Sequence, residues 1–446
     1  MGFLTGPTAA RSAVDVAQLV RERRPGHSLD AAFYTSREVY DLDVDGIFGT
    51  HWLFCATEAE LAEPGDYVTI DIGRSSVILV RDDDKQVRAF HNVCRHRGSR
   101  LLSDACGAVG NLVCPYHQWT YRTDGELIFA ENQPPDFDRG RFGLKPVPVR
   151  SLAGLVFVCL CDEPPTDFDE VAAVLEPYLS PYRLSEAKVA HQTDIVEDGN
   201  WKLVMENNRE CHHCDVGHPE LLSAYFPFNR SGADDVPPRM RAFFERFRQA
   251  GARLDALKAS TSIPTQARRE LDSRPTGFTV DHLPLDGAGI SFSPRGEQLC
   301  RKLMGDIPAA AFGDLYVHFQ PNAWLHFLSD HAVVFRVLPL TPDTTLVRST
   351  WLVHRDAIES VDYDVPTLTA VWQATNDQDR AFVEKCQRGV SDPSYEPGPY
   401  GVTEDDVEAF VTWYVTRLRH HLGQEPARDG ALDDTQDEAA TLAVVR

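Results

Sequence analysis

The sequence predicts an α+β fold in two parts, a small all-β unit followed by a larger one in which an antiparallel sheet is flanked by helices. Three observations carry that prediction. The chain has 446 residues, more than one core holds, since single cores stop growing at roughly 250–300 residues. Between His51 and Cys161 the texture is one of short β-rich runs divided by turn signals. Beyond Tyr316, alternating runs give way to two long helical patterns.

Taken in order, Ala13–Val44 reads as helix and loop, with Pro25-Gly26 as punctuation. Strands are expected at Tyr67–Ile70, Ser76–Val80, Val87–Phe90 and Leu155–Leu160, separated by Pro64-Gly65, Asp82-Asp83-Asp84 and Asp124-Gly125. Asp162-Glu163-Pro164-Pro165 closes this unit. A helical pattern follows over Phe168–Leu179, then a strand over Lys188–Val196 and a helix from Trp201 that carries a histidine cluster. Pro227–Pro308 is polar and punctuated by Pro and Gly, as a long covering excursion would be. Tyr316–Phe319, Val333–Leu338 and Thr345–Val353 alternate like antiparallel strands, and helices are expected over Val365–Arg388 and Glu404–Leu422. The acidic stretch after Gly423 is expected to be disordered. The units expected are a helical segment 1–44 packing on the larger unit, the all-β unit 45–163, the larger unit 164–424, and an acidic tail 425–446.

Composition narrows the partners. The net charge is −23, from 44 Lys and Arg against 67 Asp and Glu, and it repels phosphate backbones, so nucleic acid is not expected. No apolar run reaches the roughly 18 residues needed to span a bilayer, and the N-terminus lacks the pattern of a secretory signal. Ten cysteines are too sparse for a disulfide scaffold. Several cluster with histidines, which reads as metal binding in a reducing compartment, the cytoplasm.

The first cluster is Cys94-Arg95-His96, then, after 17 intervening residues, Cys114-Pro115-Tyr116-His117. Two thiolates and two imidazoles are the ligand set in which histidines replace two cysteines on one iron of a [2Fe-2S] centre. Neutral imidazoles raise the potential and place one iron near the surface for electron exit. Each pair must sit at a hairpin tip, with turn chemistry at Gly98 and Pro115, while Gly107 and Gly110 let the chain return. A structural zinc site is the rival, but zinc fingers use Cys-x(2–4)-Cys and His-x(3–5)-His instead of interleaved pairs.

The second cluster, Glu210-Cys211-His212-His213-Cys214-Asp215-Val216-Gly217-His218, offers three histidines in nine residues. Two histidines and one carboxylate with open positions suit a non-haem Fe(II) that must admit O2 and substrate. His213 and His218 are the expected histidine ligands. Their spacing of five separates them by about 140° on an ideal helix, so a widened or broken turn is expected near Gly217-His218-Pro219. The carboxylate is expected from Trp372–Arg380, with Asp379 first and Asp377 in reserve. Cys211 and Cys214 could instead bind zinc with two histidines, although a second cysteine pair at normal spacing is missing. The histidines could also be satisfied without metal.

One site stores single electrons and the other activates O2, which together specify an oxygenase fed by a reductase. With these motifs the chain resembles the Rieske non-haem iron oxygenase α-subunits, from about Ser28 to Leu422, and within them the quaternary-ammonium N-demethylases of the glycine betaine and stachydrine type. Phe90–Ser99, Cys114–Tyr121, Gly199–Lys202, Glu206–Cys211, Thr350–His354 and Thr375–Arg380 carry the resemblance. It implies a Rieske domain joined to a helix-grip-like catalytic domain, a cluster on Cys94, His96, Cys114 and His117, and a mononuclear iron on His213, His218 and Asp379. Glu210 would take the place of the carboxylate that links the iron histidine to a cluster histidine of the adjacent subunit, which implies a ring-shaped homotrimer. His212 stands where relatives usually carry Tyr.

The resemblance implies an oxygenase component that takes NAD(P)H-derived electrons from a flavin and iron–sulfur reductase. It would hydroxylate an N-methyl group of a betaine and release formaldehyde. Hydroxylation of an aromatic or other carbon substrate, and a Rieske electron carrier without oxygenase activity, are the alternatives. A quaternary ammonium has no N–H to donate, so aromatic faces should recognise it. Phe312, Tyr316, Phe319, Trp324 and Phe327 are the aromatic candidates.

Overall fold

The computed structural model describes residues 14–226 and 238–424; the expected acidic tail lies outside the described residues. The described residues begin with three short helices, α1 (Val16–Glu22), α2 (Ala31–Thr35) and α3 (Arg37–Leu42), and a π-helical turn at Asp43–Phe48. They pack against the last two helices among the described residues. Asp43 is fully buried there and accepts hydrogen bonds from Trp201 Nε1 at 2.9 Å, from the Tyr414 hydroxyl at 2.6 Å and from Lys202 Nζ. A buried carboxylate is tolerated only when paired and hydrogen-bonded like this.

The all-β unit holds three small antiparallel sheets. One contains β1 (Leu53–Thr57), β9 (Val149–Leu152) and β10 (Leu155–Val158), in the order β1-β10-β9. The second orders β4 (Val87–His91), β3 (Ser75–Arg81), β2 (Asp66–Ile72) and β5 (Cys106–Ala108). The third is β6 (Leu112–Val113), β7 (Thr120–Tyr121) and β8 (Leu127–Phe129). The loop after β4 and the loop between β6 and β7 meet over a core of Tyr67, Phe90, Leu101, Trp119 and Tyr121.

The larger unit is built on a seven-stranded, wholly antiparallel sheet. Its strands are β11 (Ala187–Glu197), β12 (Arg268–Glu270), β13 (Phe278–Leu283), β14 (Asp314–Phe319), β15 (Ala323–Phe327), β16 (Ala332–Thr341) and β17 (Thr344–His354). The order is β11-β17-β16-β15-β14-β13-β12. The period-2 alternation of a strand divides its side chains between two cores. Leu315, Val317, Phe319, Leu325 and Phe327 face the β1-β10-β9 sheet and α4 (Phe168–Leu179). Trp324, Phe335, Val337 and Trp351 face α5 (Trp201–Asn208), α8 (Val365–Val390) and α9 (Asp405–His421). Asn200 caps α5 by accepting from the Lys202 amide, and Asp364 caps α8 by accepting from the Thr367 amide.

Two expectations need correction. The helix from Trp201 ends at Asn208, before the histidine cluster, which lies in a loop and in the single turn α6 (Cys214–Gly217). The stretch Pro227–Pro308 is more than a loop among its described residues. It contains the 18-residue helix α7 (Arg241–Lys258), and β12 and β13 extend the sheet. Its Pro and Gly residues punctuate these elements and mask their periodicity. No helix among the described residues is long and apolar enough to cross a membrane.

Candidate metal centres

The two loops of the all-β unit have the same construction. In the first, the Cys94 amide donates to the Ser99 carbonyl and the Gly98 amide to the Cys94 carbonyl. In the second, the Cys114 amide donates to Trp119 and the Gln118 amide to Cys114. The fourth residue after each cysteine takes a left-handed backbone, Gly98 at φ 76° and Gln118 at φ 61°. The turn expected at Pro115 is therefore made by Gln118. Gly107 is needed because a Cβ there would meet the Tyr67 ring at 2.9–3.1 Å, while Gly110 faces open space.

These loops bring Cys94, Cys114, His96 and His117 together. The two cysteine side chains lie within hydrogen-bond reach of each other and are each 2% exposed. The rings of His96 and His117 are 4.6 Å apart and nearer the surface, and His96 stacks on Trp119. The Tyr121 hydroxyl lies 3.3 Å from Cys94 Sγ and accepts from the Arg95 amide. Nδ1 of His117 is buried without a hydrogen-bond partner among the described residues, a lone pair left for a metal. Partial burial and the neighbouring His96 and Arg97 charges hold His117 below the ordinary histidine pKa, toward the neutral ligand form. Buried thiols and outward imidazoles fit an asymmetric cluster with one iron near the surface.

The second centre is built where α5 ends. Glu210 Oε1 accepts from His213 Nδ1 at 2.6 Å, and its Oε2 accepts from the His212 amide. His213 and His218 cap the two ends of α6; the His218 amide still bonds to the Cys214 carbonyl at 3.1 Å, and the chain leaves the helical path at His218. The spacing of five is thus met by a one-turn helix followed by a break. A Cβ at Gly217 would meet Phe382 at 2.6 Å, so α6 can approach α8 only with glycine there. Asp379 projects from α8 toward both histidines, whereas Asp377, two residues away on the helix, is turned outward and ion-paired with Arg380. Cys211 and Cys214 are joined to each other as a disulfide, which removes them from a zinc ligand set. His212 is exposed.

The histidine tautomers follow from the outer partners. His213 Nδ1–H donates to the Glu210 carboxylate. Gln378 Nε2 donates to Glu220 at 2.7 Å, so its Oε1 accepts from His218 Nδ1 at 2.9 Å. Both Nε2 lone pairs therefore point inward. They lie 3.1 Å from each other and 3.3 and 3.0 Å from Asp379 Oδ1. Three electron-rich atoms so close repel unless a cation binds them. Adjacent ligands of an octahedral ion held at roughly 2.1–2.2 Å are about 3.1 Å apart, so the donor triangle fits one face of a metal's coordination shell and leaves the others open. With a proton in place of an ion, burial disfavours charge on His213, but hydrogen bonds to Asp379 and Glu210 outweigh it and lift its pKa to about 9.

Of the five aromatic candidates, only Trp324 lines the cleft beside Asp379. Phe319 and Phe327 are in the opposite core because strand alternation turns them away, Phe312 joins that core from the loop before β14, and Tyr316 packs on His318 and His326. Gln378, Glu220, Glu197, Asn207 and Trp372 also stand around the site, although no motif assigns them a role there. Gln378 stands next to Asp379, which is the one local hint; the others become neighbours only through the fold.

Comparison with known proteins agrees with this geometry. The family model described as Rieske [2Fe-2S] domain matches residues 51–149. The model for the ring hydroxylating alpha subunit (catalytic domain) matches residues 184–420. The glycine betaine monooxygenase oxygenase subunit of Chromohalobacter salexigens is 44% identical over 419 residues, 94% of this chain and 91% of its own length. A Pseudomonas aeruginosa protein of the same name is 42% identical over 413 residues, 92% of this chain and 94% of its own. A quaternary ammonium Rieske monooxygenase in complex with L-carnitine has the same fold, with a TM-score of 0.64 at 21% identity over 90% of this chain and 98% of that one. Naphthalene 1,2-dioxygenase from Rhodococcus sp. gives a TM-score of 0.65 at 20% identity, over 93% and 100%.

Proposed function

The chain belongs to the family of Rieske-type ring-hydroxylating oxygenase alpha subunits, and from that premise we propose that it is the oxygenase component of a two-component monooxygenase that N-demethylates a betaine-type quaternary ammonium compound. The observation that carries the oxygenase reading is the donor triangle of His213, His218 and Asp379. The substrate class rests on relatives 42–44% identical over nearly the whole chain and named for glycine betaine.

In this reading Cys94, His96, Cys114 and His117 hold the [2Fe-2S] cluster, and His213, His218 and Asp379 hold the iron. When bound, the two centres relay single electrons from a flavin and iron–sulfur reductase and activate O2 to hydroxylate an N-methyl group, which is then lost as formaldehyde. The protein's own residues set the stage for that chemistry. Glu210 and the Glu220–Gln378 pair hold the imidazoles with Nδ1 protonated and Nε2 directed inward. Glu210 also stands at the edge of the site, where it would face the cluster of a neighbouring subunit in a homotrimer. Gly217 and Phe382 hold α6 against α8, and the buried Trp324 and Trp372 exclude water from the cleft beside Asp379. Electron supply from NAD(P)H supports a cytoplasmic location.

The test is formaldehyde release from glycine betaine, stachydrine, carnitine and choline by iron-loaded protein with a compatible reductase, NADH and O2. Formaldehyde in step with loss of one betaine is the expected result. Electron flow to O2 with no compound demethylated would retain the oxygenase and remove the betaine substrate.

A further inference from the structure

The turn that presents His213 is closed by a covalent bond. Cys211, in the loop after α5, and Cys214, the first residue of α6, form a disulfide that spans His212 and His213. The other eight cysteines are free. Closeness alone does not make a disulfide here, since Cys159 and Cys161 hold their sulfurs 3.3 Å apart and are not joined. The two members of the pair differ in their surroundings. Cys214 is 4% exposed, and its sulfur lies within 4.8 Å of a ring nitrogen of His213 and of one of His218. Cys211 is partly open to solvent.

In the reducing compartment proposed above, disulfides are as a rule transient and redox-sensing. An iron that activates O2 is a local source of oxidant, and this pair brackets one of its ligands. The ligands keep their arrangement with the bond closed. The Glu210–His213 hydrogen bond is 2.6 Å long, and the inward atoms of His213, His218 and Asp379 are 3.0–3.3 Å apart. Oxidation of the pair therefore leaves the metal site intact, unlike oxidation of a ligand.

We propose that Cys211 and Cys214 are a reversible oxidation site, a dithiol that consumes hydrogen peroxide released at the iron when O2 is reduced with no substrate to hydroxylate. This rests on the oxygenase reading above and not on which betaine is used. Two electrons from the reductase and two protons convert O2 to H2O2. The Cys214 thiol, beside the metal ligands, attacks one peroxide oxygen; the O–O bond breaks, leaving a sulfenic acid and one water. The Cys211 thiol then displaces the hydroxyl as a second water and forms the S–S bond. The sum is one H2O2 and two thiols giving one disulfide and two waters. Return to the thiols takes a dithiol reductant. It attacks the accessible Cys211 sulfur, releases Cys214 as the thiol, and carries the oxidising equivalents away as its own disulfide.

The test uses the full chain carrying its cluster and iron, reduced with dithiothreitol and freed of it under nitrogen. A compatible reductase, NADH and O2 are then supplied with catalase and without substrate, and cysteine pairing is read by alkylation and peptide mass. The peptide holding Cys211 and Cys214 is expected to lose two hydrogens as NADH is consumed, even with catalase clearing the solution, while Cys159 and Cys161 remain open to alkylation. Dithiothreitol should then restore both thiols without loss of iron. Cys211→Ser, which has no second thiol to close the bond, is expected to lose O2 uptake at least about threefold sooner with its cluster absorbance retained at the start. A pair that stays reduced through NADH-driven O2 uptake, or closes as fast with no reductase present, would overturn the oxidation site and leave the oxygenase reading standing. So would closure that catalase abolishes, a disulfide that dithiothreitol does not open in the folded protein, or a Cys211→Ser variant that lasts as long as the wild type. With no O2 uptake at all, the oxygenase reading and the oxidation site fall together.

Discussion

Glu210 accepts a 2.6 Å hydrogen bond from Nδ1 of His213, three residues farther along the chain. The bond crosses the turn that carries Cys211 and His212 and fixes which nitrogen of His213 faces Asp379. Such outer partners of metal ligands are worth about 10–100-fold in metal affinity. Glu210→Ala is expected to weaken iron binding by that amount, and Glu210→Gln, which keeps an acceptor oxygen, by much less. Competition with a chelator measures both. Equal losses would show that charge, and not orientation, is what Glu210 supplies.

His218 depends on a longer relay. Gln378 can accept from His218 Nδ1 only because Glu220 accepts from its amide nitrogen. Gln378→Leu removes the acceptor and is expected to cost at least tenfold in iron affinity. Glu220 is exposed, so Glu220→Gln should cost well under tenfold. The same chelator competition checks the order of the two effects.

Glu206 gives a pH signature. It is half-buried beside Tyr34, whose hydroxyl donates to it at 2.9 Å. Burial outweighs that bond and raises its pKa from 4.5 to about 7. Between those values the folded protein binds the proton more tightly than the unfolded chain does. Stability is therefore greatest below the lower value and falls as pH rises through the higher one, by up to about 3 kcal/mol. Glu206→Gln should flatten this part of the profile, and denaturant melts at pH 5 and pH 8 would show it. A wild-type stability that does not fall across this range would contradict the account.

The paired cluster loops allow a backbone test. A methyl at Gly98 meets no atom within 4 Å, so only its φ of 76° opposes Gly98→Ala. The expected loss is about 1–2 kcal/mol. Gln118 occupies the equivalent left-handed position, and Gln118→Gly should leave stability unchanged or slightly raised. Thermal melts followed by cluster absorbance would separate the two.

The convergence of Cys94, His96, Cys114 and His117 is legible in the sequence because the interleaved Cys-x-His and Cys-x2-His pairs are local and specific. His213 and His218 are legible for the same reason. Asp379 is reachable only as one of two acids in a helical pattern, and helical phase separates it from Asp377 once α8 is placed. Beyond Tyr316 the helices and three of the strands follow hydrophobic period, but β15 (Ala323–Phe327) is too short to stand out, and α7, β12 and β13 are masked by Pro and Gly. The facing of the aromatics of β14 and β15 is not legible, since a strand's alternation says that two faces exist but not which one meets the iron. Glu197 and Trp372 are 175 residues apart by their numbers, and no local pattern joins them.

Asp43 is joined to Lys202 and Trp201, across 159 and 158 residues, and to Tyr414, across 371. The buried ammonium of Lys202 thus has its counter-charge from the segment just before β1, and that counter-charge gains a further donor from α9. Contacts so far apart in sequence form slowly, because loop closure must precede their reward. The interior that supports α5 and the iron ligands therefore closes only when three stretches distant in sequence have met, which makes the foundation of the site one of the slower parts of the fold to set.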